Sequence, residues 1–262
     1  MISYENTSGK PLADADWLAC HHQAKLNERI AFVRRLAAFK PMSIVDLGCA
    51  SGLWLDLLNQ ELPIECEFIG IDSDEKLLKM AIQRSDLWKR KVSFLKLDLE
   101  QETFKIPPSD LTLAFNIFPY IKNLDQFITT LSQRVPRGRL AIRQYDGASI
   151  RFGPMLTSKR QALEIELRVA TENSQKFRHY DLDRTYTALH NSDYKQCFYE
   201  FELFQRFSPF PKDFLPYYKE TLAWTIQLVS KTSADYLHEW INTDIIMENK
   251  YFYEVDLVAI LS

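Results

Sequence analysis

Between residues 43 and 145 one unit repeats: a short apolar run, a turn bearing an acid, an amide or a glycine, then apolar positions at helical spacing. The runs cover residues 43–47, 67–71, 92–97, 110–115 and 139–145. Short apolar runs bounded by turn residues read as strands buried on both faces. A helix over 53–62 stops at Pro63. Another starts on Ser73-Asp74-Glu75, whose acids suit a helix N-terminus, and buries Leu77, Leu78, Ala81 and Ile82. A third, over 124–135, is headed by Asn123 and Gln126 as an N-cap pair. Strands alternating with helices predict a parallel sheet with right-handed crossovers. A closed eight-fold barrel needs more strand–helix units than this chain holds.

Outside that core the rhythm changes. Trp17, Leu26, Ile30, Val33 and Ala37 recur at helical spacing and predict one helix over 16–40. Pro154 suits the first turn of a helix reaching about residue 176, and Asp181 heads a shorter one. Residues 196–205 alternate as a strand, 206–250 read as helical, and 251–261 close the chain as a strand. The expected organisation is one domain over 1–262: an N-terminal helical region (1–42), a ligand-binding core (43–145) and a C-terminal part (146–262) with helical additions.

The stretch Val45-Asp46-Leu47-Gly48-Cys49-Ala50-Ser51-Gly52 lies at the exit of the first strand, where small residues let backbone approach a ligand. A dinucleotide site wants G-x-G-x-x-G and a pyrophosphate at the helix N-terminus. Here Leu53 takes the third glycine position, and Asp46 places a negative charge beside the loop. A ligand with a cationic amino-acid end fits better, and S-adenosylmethionine is one.

In these features the sequence resembles the class I S-adenosylmethionine-dependent methyltransferases. Asp46, Gly48 and Gly52 match their first motif, with Ala50 in place of a frequent middle glycine. Gly70-Ile71-Asp72 matches the second, 24 residues beyond Gly48. Leu97-Asp98-Leu99 matches the third, and Asn116-Ile117-Phe118-Pro119-Tyr120-Ile121 fills the place of the fourth. The resemblance covers about residues 28–145. It implies an α/β, Rossmann-like, mostly parallel seven-stranded sheet with helices on both faces. It also implies S-adenosyl-L-methionine as cofactor, held by Asp46, Gly48, Cys49, Ala50, Gly52, Asp72, Ser73, Asp98, Leu99 and Asn116. The Asp72 carboxylate is expected to accept the ribose hydroxyls, and Asp98 to meet the adenine amino group.

The expected reaction is methyl transfer to oxygen or nitrogen of a small molecule. A protein or RNA acceptor, an NAD(P)-dependent oxidoreductase and a non-catalytic binding module are the rivals. Adenine-N6 enzymes carry a double proline after strand four, which Asn116-Ile117-Phe118-Pro119-Tyr120 lacks. With a net charge of −3 and no long Lys/Arg block, a nucleic-acid partner is not expected. No membrane-length apolar run is present, and Cys20, Cys49, Cys66 and Cys197 show no metal spacing and no CxxC, so a cytoplasmic protein with reduced thiols and no metal is expected. His179, Tyr145 and Asp146 are the catalytic candidates. His21 and His22, adjacent on a helix, diverge and make poor paired metal ligands. Of the C-terminal aromatics Phe198, Tyr199, Phe201, Phe204, Phe207, Phe210, Phe214, Tyr217, Tyr218 and Trp224, most are expected in the core and a few in an acceptor pocket. The additions at 146–194 and 206–250 are read as a substrate cap, or alternatively as a homodimer surface.

Overall fold

The repeated strand–helix unit builds one mixed sheet. The structure, a computed structural model, describes residues 14–135, 138–147, 149–173, 182–195, 197–242 and 249–262. Strands β1 (Ser43–Leu47), β2 (Glu67–Asp72), β3 (Val92–Lys96), β4 (Leu111–Phe115) and β5 (Arg139–Tyr145) run parallel in the order β3-β2-β1-β4-β5. The short β6 (Arg151–Gly153) and the long β7 (Cys197–Phe207) and β8 (Tyr251–Leu261) complete it, with β8 antiparallel to β5, β6 and β7.

Among the described residues the sheet has eight strands, not the expected seven. The extra one is β6, which pairs with Tyr251–Tyr253 of β8 while β5 pairs with Asp256–Leu261. In effect the fifth strand is interrupted at 146–150 and resumes. Three residues are too few to display an alternation pattern.

The N-terminal region also departs from expectation. It is two helices, α1 (Ala15–Ala24) and α2 (Leu26–Ala37), broken at Lys25 with φ −109° and ψ 20°. Asp14 caps α1 by accepting from the Trp17 N–H at 2.8 Å. The Lys25 side chain turns inward and pairs with Glu254 and Asp256 of β8, which fixes the break.

Side chains alternate between two layers. α2, α3 (Leu53–Glu61) and α4 (Glu75–Ser85) cover one face, where Phe32, Leu36, Leu58 and Leu78 meet Ile44, Phe68 and Leu113. α5 (Leu124–Arg134), headed by Asn123 as expected, covers the other face, where Phe127 and Leu131 meet Leu47, Ile142 and Leu257. Of the remaining helices, α6 (Thr157–Asn173), α8 (Leu215–Ile226) and α9 (Lys231–Asn242) join α1 in a third, aromatic cluster around Phe152, Phe204, Phe214, Tyr218 and Phe252. α7 (Leu182–His190) instead packs with α5. Among the described residues no helix is long and apolar enough to cross a membrane.

Candidate active site

β1 lies between β2 and β4, so the strand order reverses between β1 and β4, and a crevice opens at their carboxyl ends. A cavity of about 1070 Å³ occupies that crevice. Its first half is the run of strand exits. Gly48, Cys49 and Ala50 follow β1; Asp72 and Ser73 end β2; Asp98 and Leu99 follow β3; Asn116 follows β4; all eight line the cavity.

The loop after β1 turns its amides inward. Gly48 and Cys49 both donate to the Ile71 carbonyl, at 2.8 and 2.9 Å. Ala50 donates to Asp72 Oδ2 at 2.8 Å, and Gly52 to the Cys49 carbonyl at 2.8 Å. These four N–H groups are therefore not available to a pyrophosphate, which counts against a dinucleotide on grounds the sequence did not display. Gly48 has φ +69°, and a Cβ there would lie 2.4 Å from Ile117 Cγ2, so a side chain does not fit. Gly52 serves differently from expectation: it caps α3 at φ +76°, is not on the cavity wall, and a Cβ there would meet Ala81 of α4 at 3.2 Å. Its smallness lets α3 and α4 pack.

The acids are set by local hydrogen bonds. Asp72 Oδ1 accepts from the Asp74 N–H at 2.9 Å, so with the Ala50 bond both oxygens are oriented while each keeps a lone pair. Burial raises the Asp72 carboxyl above its usual range, against the lowering effect of these two amides. Asp98 Oδ1 accepts from the Glu100 N–H at 2.9 Å, and its own N–H donates to Glu102 at 3.0 Å. Asn116 adopts φ +56°, and its Oδ1 accepts from the Tyr145 N–H at 3.0 Å, tying the ends of β4 and β5 together. Asp46 is 2% exposed and stands behind the loop, off the cavity wall. Its Oδ2 is buried without a hydrogen-bond partner among the described residues, and burial with the nearby Asp72 carboxylate pushes its carboxyl well above the usual range. Two carboxyl groups on the cavity wall at successive strand ends, Asp72 and Asp98, suit a ligand that presents hydrogen-bond donors there.

The second half of the cavity is aromatic, and its roof comes from α1 and α8. Trp17, Leu18 and His21 line it from α1; Tyr217, Glu220, Thr221 and Trp224 line it from α8. The His21 ring stacks on Tyr217 with centroids 5.2 Å apart, and Trp17 meets Tyr217 at 5.5 Å. Burial, reinforced by Lys25, Arg29 and Arg143, holds the His21 imidazole well below its usual pKa, so the ring is neutral. Its Nε2 has no partner among the described residues.

Of the expected catalytic residues, Tyr145 lines the cavity. Burial, then the Glu254 and Asp146 carboxylates, push its phenol well above the usual value, so it stays protonated as a donor and is no base. Asp146 lies off the wall and accepts from the Ser149 hydroxyl. His179, and Asp181 with it, lies outside the described residues.

The addition at 206–250 supplies wall residues through α8. The described residues of 146–194 do not. Instead α6 is tied to the start of α9, where Glu166 accepts from Ser230 at 2.8 Å. From α7, Arg184 donates to the carbonyls of Phe118, Ile121 and Lys122 at 3.2, 2.6 and 3.0 Å, bracing from behind the loop that carries Ile117, Tyr120 and Ile121. The aromatics divide differently from expectation: Phe204, Phe210, Phe214 and Tyr218 are core and Tyr217 and Trp224 reach the cavity, but Phe198, Phe201 and Phe207 are exposed on β7. Sequence reasoning missed Trp17, His21 and Arg29 as cavity residues; only the break at Lys25, invisible in the helical pattern, aims α1 over the strand ends.

The crevice is acidic at the strand exits and aromatic beyond them, at the switch point of a doubly wound sheet. The sequence profile of the methyltransferase domain family matches residues 21–196, about two-thirds of the chain, and the chain belongs to that family. It is a class I, S-adenosylmethionine-dependent methyltransferase. Among curated proteins none matches the sequence. Solved structures of similar fold include a Bacillus halodurans C-125 protein assigned as a methyltransferase, with TM-score 0.54, 13% identity, and coverage of 88% of this chain and 97% of that one. The YcgJ protein of Bacillus subtilis aligns with TM-score 0.53 and 13% identity over 90% of this chain and 98% of that one. Precorrin-6y C5,15-methyltransferase of Geobacter metallireducens GS-15 aligns with TM-score 0.50 and 8% identity over 90% and 87%. At these identities the likeness is one of fold.

Proposed function

We propose that the cavity holds S-adenosylmethionine at the strand exits and a small-molecule acceptor beneath α1 and α8, and that the acceptor is methylated at oxygen or nitrogen. One observation carries this reading: a single cavity runs without interruption from Asp72 and Asp98 to Trp17, Tyr145, Tyr217 and Trp224. Sites for small molecules are concave and mostly apolar with a few convergent polar groups, as this second half is.

When bound, S-adenosylmethionine supplies a methyl group already activated by its sulfonium. The chain's contribution is then largely orientation and exclusion of water. Asp72 accepts the ribose hydroxyls, Asp98 and Leu99 hold the adenine edge, Ser73 and Asn116 flank it, and the Gly48–Ala50 backbone gives close approach. Asp46 contributes from behind the loop, and Gly52 through α3–α4 packing. In the acceptor half, Trp17, Tyr217 and Trp224 pack an apolar body. The protonated Tyr145 hydroxyl can donate to a polar group beside the acceptor atom, and the neutral His21 Nε2 can accept a hydrogen bond that orients the acceptor, whose proton passes to water.

The test is turnover. The purified protein is incubated with S-adenosylmethionine and panels of aromatic amines, phenols, peptides and RNA, and S-adenosylhomocysteine is measured by mass spectrometry. Product is expected with a small aromatic acceptor, and Trp224→Ala should lower kcat/KM roughly ten-fold by removing an aromatic wall. Product with peptide or RNA alone would overturn the small-molecule reading.

A further inference from the structure

Among the described residues, one buried cation of the cavity wall stands without an ion-pair partner. Arg29 is on α2, is 6% exposed, and lines the cavity. Its guanidinium lies 4.7 Å from the Trp54 ring centroid, and Nη1 donates to His22 Nδ1 at 2.7 Å. Burial and the Arg29 charge hold His22 down to about 3, so this partner is neutral. The remaining N–H groups of Arg29 have no partner, and no carboxylate lies within ion-pair distance, among the described residues.

The other buried cations are provided for. Lys25 has Glu254 and Asp256; Arg143 has Asp256 at 2.8 Å and Glu202 at 2.6 Å; Arg160 has Glu164 at 3.8 Å. Arg90, which has no carboxylate, donates to the backbone carbonyls of Asn59, Leu62, Pro63 and Cys66 and to the Asn59 side chain. Among the described residues Arg29 alone in this set has neither a carboxylate nor a backbone carbonyl, and its one hydrogen bond goes to a neutral imidazole. Burial, with Arg143 adding repulsion, lowers it to about 9, against the more distant pull of Asp256, Tyr217 and Glu254. A desolvated cation in that position is stable chiefly when an anion completes it.

We propose that Arg29 is the anion receptor of the cavity, pairing with a carboxylate carried by a molecule bound there. The planar fork of a guanidinium matches a carboxylate bidentately, and the Trp54 face fixes its plane. The site lies where the cofactor loop's helix, through Trp54, meets the α8 roof, through Tyr217. Two molecules can present the group there: the amino-acid end of the methyl donor, or an acceptor that is itself an acid. The inference rests on the cavity being the site of methyl transfer.

Calorimetry separates the sources by two matched pairs of probes. S-adenosylhomocysteine is compared with its decarboxylated analogue, and benzoate with benzamide in the presence of saturating S-adenosylhomocysteine. Arg29→Met should weaken at least one carboxylate-bearing probe about ten-fold or more, and leave its carboxylate-free counterpart within about two-fold. Loss on S-adenosylhomocysteine assigns the anion to the donor; loss on benzoate assigns it to the acceptor. Arg29→Gln, which keeps a hydrogen bond within reach of His22, carries the same comparison if Arg29→Met does not fold, and melting without ligand reports that. If the native protein binds S-adenosylhomocysteine and the folded variants bind every probe as it does, the Arg29 assignment is wrong. If the native protein binds none of the four, the reading of the cavity itself fails.

Discussion

Lys25→Ala should lower the melting temperature by roughly 10 °C. Lys25 is 2% exposed and pairs with Glu254 and, at 3.3 Å, with Asp256. Those two carboxylates are two residues apart on β8 and so share a face. Arg143 donates to Asp256 from β5, and the Tyr217 hydroxyl donates to Glu254 at 2.6 Å. Removing the ammonium leaves two buried acids facing one guanidinium. Breaking a buried pair costs about 3–5 kcal/mol, and each kcal/mol moves the melting point about 2–4 °C for a chain of this size.

The acid limb of stability should move as well. Burial acts to raise Asp256, but Lys25 and Arg143 outweigh it and hold it below the usual carboxylate range. A carboxylate depressed by folding contributes stability above its unfolded pKa and loses it as pH falls through the folded value. Without Lys25 the depression shrinks, so acid unfolding begins at higher pH. Melting curves across the acid-to-neutral range check both effects. A fall below about 2 °C with an unchanged acid limb would show that the network is not what seats α1.

Asp72→Ala should weaken S-adenosylhomocysteine binding ten-fold or more. A hydrogen bond to a charged acceptor contributes about 1.5–3 kcal/mol, equivalent to roughly 10–150-fold in affinity. The substitution also frees the Ala50 and Asp74 amides, so Asp72→Asn, which retains an acceptor oxygen without the charge, should lose less. Methylthioadenosine keeps the ribose and lacks the amino-acid end, so it should lose affinity by the same factor. Titration calorimetry reads these constants, and melting without ligand reports the fold. Unchanged affinity in a folded Asp72→Ala protein would remove Asp72 from the ribose site.

The contrast between these residues shows what a sequence can display. The strand exits were legible because each is a local unit: an apolar run, an Asp or Asn, and a capped helix, all within a few residues. Asp72, Asp98 and Asn116 stand at strand ends along one wall of one cavity. Lys25 was not legible, because its partner Asp256 lies 231 residues away and a lysine in a helical pattern reads as a solvated position. With the break at Lys25 went the α1 roof, and with it Trp17 and His21. Gly52 and Asp46 belong to the expected loop, but their tasks depend on neighbours the pattern does not name: Ala81 for the first and the buried space behind the loop for the second. β6 was hidden by its brevity. The first addition was read as cavity wall because it leaves β5, whereas α7 supports the loop after β4 from behind.

The central claim is that donor and acceptor meet in one cavity, and a crystal structure of the protein with S-adenosylhomocysteine tests it most directly. The account predicts ribose hydroxyls on Asp72, the adenine edge at Asp98-Leu99, and the sulfur opening into the space walled by Trp17, His21, Tyr145, Tyr217 and Trp224. A sulfur facing open solvent, or a ligand seated away from the ends of β1 and β4, would contradict it.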